Sequence, residues 1–269
     1  MPMTKLFLLF PFSLLVLFSC NKIEYHPYDG KVSGKTNINA KNITKIEKAC
    51  AGRDTVTFAV ISDTQRWYDE TKAIAKSINS RTDVDFTLHL GDLTDFGVTK
   101  EFEWMRECLE KLNKPYVCLI GNHDCLGTGE HIFKKIYGKI NFSFTAGKTH
   151  FVCLNTNSRE YDHTTAVPDF NFIEQERLNF PDEAVNTVVA MHARPTSEQF
   201  DNNIIKFFEY ELLQFPNLLF CLNGHDHHNN VDDLFEDGNL YYGVTCAGKK
   251  NYYVFTVYPG GYDYEKVDC

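Results

Sequence analysis

A chain of 269 residues with a formal net charge of −9 and 43% hydrophobic residues is long enough to bury a sizeable core and reads as one globular domain. The acidic balance, with no basic cluster, excludes the counterion-release binding on which nucleic-acid proteins depend, so an anionic ligand must be attracted locally. Nine cysteines without a Cys-x-x-Cys pair exclude zinc-ribbon chemistry.

The first residues read as an export signal. Lys5 precedes an apolar run over residues 6–18 that contains Pro11 and, at about 13 residues, falls short of the roughly 20 a membrane-spanning helix needs. Leu17-Phe18-Ser19-Cys20 resembles the lipobox of bacterial lipoproteins. That resemblance implies removal of residues 1–19, acylation of Cys20 and attachment to the membrane of the cell envelope through the lipid. Loss of Lys5 would leave 250 residues at a net charge of −10. Residues 20–53 are polar, carry many Lys and Asn, and show no sustained apolar period, so they read as a tether ahead of a domain at 54–269.

From residue 56 the pattern alternates. Apolar, β-branched runs at 56–61, 86–90 and 116–120 read as strands, and residues 71–79 and 100–112 have helical spacing between them. Residues 142–145 and 150–154 form a predicted hairpin, 170–178 a helix, 185–191 a strand, 203–213 a helix and 218–222 a strand. Short strands at 240–245 and 252–258, with turn formers Asp237-Gly238 and Pro259-Gly260, close the chain as antiparallel sheet. Alternating units of this kind predict an α/β fold.

Each of five apolar strands stops at a polar cluster: Asp63-Thr64-Gln65, Gly91-Asp92, Gly121-Asn122-His123-Asp124, His192 and Gly224-His225-Asp226-His227. Ligands of open α/β sheets bind beyond the carboxyl ends of strands, so these clusters are expected to converge along one sheet edge. Carboxylate and amide oxygens together with imidazole nitrogens suit Fe, Mn, Zn or Co, and differ from the thiolate set of a structural zinc site. An extended His225-Asp226-His227 would turn both histidines to one face.

The order Asp-x-Gln, Gly-Asp, Gly-Asn-His-Asp, His, Gly-His-x-His resembles that of the calcineurin-like metallophosphoesterases, over residues 56–228. Gly-Asp-Leu-Thr-Asp at 91–95 and residues 115–124 are similar to the cyclic-nucleotide phosphodiesterase branch. The resemblance implies two mixed β-sheets packed face to face with helices outside. It also implies hydrolysis of phosphate esters at two metal ions, with a metal-bound hydroxide as nucleophile. Asp92 would bridge the ions. Asp63, Gln65 and His227 would complete one shell, and Asn122, His192 and His225 the other. His123 would face the substrate, protonating the leaving alkoxide or stabilising charge, with Asp124 as its orienting partner. Gln65 stands where the family most often has histidine, so its ion is expected to be held more loosely, to be a harder metal, or to be recruited by the substrate.

A noncatalytic envelope-binding module on the same fold, or amide hydrolysis with the same metals, are the rival readings; a binding module is expected to lack ligands or His123. His131, His150 and His163 lack a partner motif and read as surface or capping residues, and His26 lies in the tether. His89 alternates with Leu88 and Leu90 and reads as a hydrogen-bonded structural histidine. Arg194 suits either a phosphate contact or a salt bridge.

Overall fold

Alternation along β1 (Val56–Ile61) divides the molecule into layers: Phe58 and Val60 point into one apolar cluster, Ala59 and Ile61 into another. In the computed structural model, which describes residues 29–269, β1 is the middle strand of a five-stranded sheet. It lies antiparallel to β10 (Asn251–Tyr258) and parallel to β2 (Phe86–His89), which in turn lies parallel to β3 (Tyr116–Cys118). An outer strand, β11 (Gly261–Asp268), pairs antiparallel with β10. The expected export signal, Cys20 and His26 lie outside the described residues.

The second sheet has six strands. Its order is β4 (Phe142–Ala146), β5 (Thr149–Leu154), β6 (Asn186–Met191), β7 (Leu218–Asn223), β9 (Leu240–Gly243) and β8 (Asn230–Asp233), with parallel pairing from β5 to β9 and antiparallel pairing at both ends. Phe58, Phe86, Val117 and Phe255 of the first sheet pack with Phe144, Phe151, Val188 and Phe220 of the second in one continuous core. Helices α2 (Tyr68–Ser80), α3 (Thr99–Leu109) and α4 (Gly129–Ile136) cover the far side of the five-stranded sheet through Ile74, Ile78, Phe102, Met105 and Phe133. Helices α5 (Phe170–Leu178) and α6 (Ile205–Leu212) cover the other through Ile173, Phe208 and Leu212. The expected architecture of two mixed sheets face to face with helices outside is the one observed.

The tether expected through Arg53 is corrected. Residues Ile38–Cys50 form α1, which packs beside β3 and β4, the strands that border one open side of the sandwich. Its inward positions are Ile38, Asn39, Asn42, Ile46 and Cys50, so two asparagines interrupt the apolar period. They are there to hydrogen-bond an unpaired strand edge: Asn39 Nδ2 donates to the Cys118 carbonyl at 2.8 Å, its Oδ1 accepts from Cys118 N–H at 2.9 Å, and Asn42 Nδ2 donates to the Tyr116 carbonyl at 2.8 Å.

The closing strands pair antiparallel as expected, β8 with β9 and β10 with β11, but they lie in two sheets: β9 also pairs parallel with β7, whereas β10 belongs to the other sheet, so the chain crosses between sheets near Cys246, which bridges to Ser62. His150, read as a surface or capping residue, is buried against Glu176 at 3.1 Å, and Cys118, Cys153 and Cys221 are core residues. Among the described residues no helix is long and apolar enough to cross a membrane.

Candidate active site

Three strand ends of the first sheet and two of the second open into one crevice between the sheets, so the single sheet edge expected from the sequence is replaced by two facing ones. Asp63 follows β1, Asp92 follows β2 and Asn122 follows β3; His192 follows β6 and the 224–227 segment follows β7. Backbone hydrogen bonds tie these ends together. Asp63 N–H donates to the Gly91 carbonyl at 3.1 Å, Thr64 and Gln65 N–H to the Asp92 carbonyl, and Gly224 N–H to the His192 carbonyl at 3.0 Å.

Glycine is required here by close approach. A Cβ on Gly121 would lie 2.1 Å from Asp92 Oδ1, and one on Gly224 would lie 2.0 Å from Ser62 Oγ. Four of the seven expected ligands, Asp63, Asp92, His225 and His227, have left-handed backbones with φ of 51°, 58°, 69° and 54°. Each such residue costs on the order of 1–3 kcal/mol and persists only where its surroundings over-determine it. The extended geometry expected of His225-Asp226-His227 is therefore not the observed one. His225 and His227 diverge toward different partners.

The carboxylate of Asp92 and ring nitrogens of His192 and His225 lie within 4.8 Å of one another. Asn122 Oδ1 is 3.0 Å from both His192 Nε2 and His225 Nδ1. Each ring is oriented through its other nitrogen: His192 Nδ1 donates to the Leu90 carbonyl at 2.9 Å, and His225 Nε2 faces Glu198 Oε1 at 2.9 Å. His227 Nε2 lies 3.1 Å from Asp63 Oδ1, and Gln65 Nε2 is 3.3 Å from Asp92 Oδ2.

Burial opposes charge on Asp63, yet the His227 contact and the His192 charge hold its pKa below the ordinary carboxylate range. Burial likewise opposes the His192 imidazolium, but the Asp92 and Asp63 carboxylates bring its pKa up to about 9. The donor set fits a bound cation. Gln65 Oε1 is buried with no hydrogen-bond partner, Asp63 Oδ1 is faced by the His227 ring alone, and the imidazoles crowd an amide oxygen, an arrangement that a cation bound between these atoms satisfies.

His123 opens a 3-10 turn and donates its N–H to Asp92 Oδ1 at 3.0 Å, while its Nδ1 bonds the Asp95 carbonyl at 2.8 Å. Asp124 is corrected as its partner. That carboxylate is wholly buried and accepts from Gly121, Leu93 and Thr94 N–H groups and the Thr94 hydroxyl, which bind the β2 and β3 loops together. Burial and neighbouring Asp92 push its pKa up to about 7. Adjacency in sequence misled because the 3-10 turn sends successive side chains apart.

Four residues near the site escaped the sequence reading. Asp95 orients His123 through a backbone carbonyl, which no side-chain pattern reveals, and Arg66 Nε anchors the Asp95 carboxylate at 2.9 Å. Glu198 lies six residues beyond His192 in an irregular loop. Burial is the largest cause of the raised pKa of Glu160, opposed by neighbouring Gln199 and the His123 charge and reinforced by that of Asp92. Arg194 makes a salt bridge, pairing with Asp226 at 2.6 Å and Asp232 at 3.2 Å. His89 is the structural histidine expected: it bonds the Thr64 hydroxyl at 2.8 Å, and burial lowers its pKa to about 4.

The family model described as calcineurin-like phosphoesterase matches residues 56–229. A 3',5'-cyclic-nucleotide phosphodiesterase of Nostoc sp. is 28% identical over 119 residues, 44% of each chain. The uncharacterized protein YvnB of Bacillus subtilis is 23% identical over 235 residues, covering 74% of this chain and 18% of YvnB. The chain thus spans less than half the length of either curated relative. Among solved structures, purple acid phosphatase PPD1 from yellow lupin aligns with a TM-score of 0.58 at 12% identity, covering 90% of this chain and 55% of that one. GAP50, the anchor in the inner membrane complex of Plasmodium, aligns at 0.57 and 11% identity, with coverages of 80% and 85%. At these identities the two structures speak for the fold alone.

Proposed function

The chain belongs to the calcineurin-like phosphoesterases, and on that premise we propose that it hydrolyses phosphate esters, phosphodiesters above all, at a two-metal site formed by Asp63, Gln65, Asp92, Asn122, His192, His225 and His227. The observation that carries this reading is the convergence of His192 and His225 on Asn122 Oδ1, each at 3.0 Å and each with its other nitrogen already engaged. Bound cations would clamp the nonbridging phosphate oxygens and lower the pKa of an attacking water, giving an acidic protein a local attraction for an anion. The Nostoc relative's activity supports the choice of a diester.

The protein's own groups do the rest. A carbonyl only accepts, so the Asp95 carbonyl holds the proton of His123 on Nδ1 and leaves Nε2 as the atom that carries a second proton to the departing alkoxide. The Asp92 carboxylate accepts from His123 N–H, fixing the backbone of His123 to the same group that would belong to both ligand shells. A noncatalytic module would not need this arrangement.

The test is turnover of paired aryl and alkyl phosphodiesters by the metal-reconstituted protein and its His123→Ala variant, with metal content measured on the same samples. We expect the variant to keep its metal, because Asn122 and not His123 belongs to the ligand set. A positioned general acid contributes typically 10²–10⁴-fold, so turnover of the alkyl ester should fall by about that factor and turnover of the aryl ester by less. Equal losses on both esters would assign His123 an electrostatic role instead. Absence of turnover on every phosphoester by fully metallated wild type would overturn the enzymatic reading.

A further inference from the structure

His225 and His227 flank Asp226 in a segment without regular secondary structure, and both take left-handed backbone angles. Such a conformation holds only where neighbours impose it. Three contacts fix the backbone: Asp226 N–H donates to the Gly224 carbonyl at 2.8 Å, His225 N–H to Asp63 Oδ2 at 3.1 Å, and the Thr245 hydroxyl to the His227 carbonyl at 2.6 Å. The Asp226 side chain provides a fourth hold. Its Oδ2 accepts from Arg194 Nε at 2.6 Å, and Arg194 Nη1 reaches Asp232 Oδ2 on β8 at 3.2 Å.

Arg194 stands two residues beyond His192. Its guanidinium therefore joins three pieces of the site: the end of β6 that carries His192, the 225–227 segment, and β8. The arginine and both carboxylates are partly shielded from water, which favours a planar, multi-donor cation over a point charge. Two carboxylates already engage it, which argues against the phosphate contact weighed from the sequence.

We propose that Arg194 is a positioning residue for the metal centre: by holding Asp226 it keeps the two flanking histidines turned apart, His225 toward Asn122 and His192, and His227 toward Asp63. The proposal rests on the two-metal reading of the site. It predicts an effect on metal affinity that precedes any effect on turnover.

The experiment titrates metal-free wild type, Arg194→Met, Arg194→Lys, Asp226→Asn and the Arg194→Met/Asp226→Asn double variant with Mn²⁺ and Zn²⁺ in competition with a chelating dye. Circular dichroism and metal-free melting curves are recorded on the same samples. Loss of an outer partner of a metal ligand typically lowers affinity 10–100-fold, and that is the loss expected for Arg194→Met. Arg194→Lys should recover part of it, and the double variant should be no worse than the more affected single one. Should Arg194→Met fail to fold, Arg194→Lys and Asp226→Asn carry the comparison. Wild-type affinity in the folded Arg194 variants, or losses that add in the double variant, would overturn the clamp. Unchanged metal affinity with a raised KM would also overturn it, in favour of a phosphate contact. A wild type that binds neither metal would instead overturn the two-metal reading itself.

Discussion

Gln65 is the proposed ligand whose chemistry departs from the family pattern, and the surroundings of its amide say what the departure would do. Its Nε2 lies 3.3 Å from Asp92 Oδ2, and its Oε1 is buried without a hydrogen-bond partner. A half-turn of the amide exchanges these atoms and offers the carbonyl oxygen as a neutral, hard donor beside Asp63 and His227. Imidazole is the stronger ligand for borderline divalent metals, so Gln65→His should tighten the ion held by Asp63 and His227. Elemental analysis after exhaustive dialysis is the measurement: the variant should retain more metal per chain than wild type. Equal content in the two proteins would remove Gln65 from the ligand set.

At the scale of elements, α1 shows how a polar side chain does a strand's work. Asn39 is buried, and its amide makes the paired donor and acceptor contacts to Cys118 that a neighbouring strand would otherwise supply. Asn39→Ala orphans both backbone groups, each worth about 1–3 kcal/mol when buried and unsatisfied. Since 1 kcal/mol shifts Tm by about 2–4 °C in a domain of this size, differential scanning calorimetry should find the variant's midpoint several degrees lower. A midpoint within a degree of wild type would mean that water replaces the amide at the strand edge. The same asparagines explain why α1 was illegible in the sequence: the helical period is present, but half-hidden under a polar residue type. Much of the rest was legible because apolar strands ending in Asp63, Asp92, Asn122 and His192 carry their signal in consecutive residues. Strand β11 was missed because Tyr262 and Tyr264 alternate with charged residues on an exposed edge. The Asp124 assignment failed because chain adjacency was taken for spatial adjacency, and the shape of the 225–227 segment was hidden because left-handed histidines leave no compositional mark.

For the whole molecule, the decisive feature is that the proposed ligands come from both sheets. Asp63, Asp92 and Asn122 follow strands of the five-stranded sheet, whereas His192, His225 and His227 follow strands of the six-stranded one. An ion bound by both groups cross-links the layers at one end of the sandwich, as the inter-sheet core does along its length. Such a site does not survive unfolding, so binding free energy adds to folding stability by mass action. At a free metal concentration about 100 times the dissociation constant the gain from one site is about 2.7 kcal/mol. In a domain of this size that corresponds to a rise in Tm of roughly 5–10 °C. Melting the chelated protein against a Mn²⁺ or Zn²⁺ series should show this rise, which continues with the logarithm of the free metal concentration once that exceeds the dissociation constant. Asp92→Asn supplies the control, because Asp92 is the carboxylate assigned to both shells: the variant should still fold, since a buried amide retains a hydrogen-bond acceptor for His123 N–H, but its midpoint should hardly respond to metal. A wild-type midpoint that stays fixed across the series would mean that the two sheets are held together without the metal centre. An equal rise in wild type and Asp92→Asn would place the stabilising ion elsewhere on the molecule.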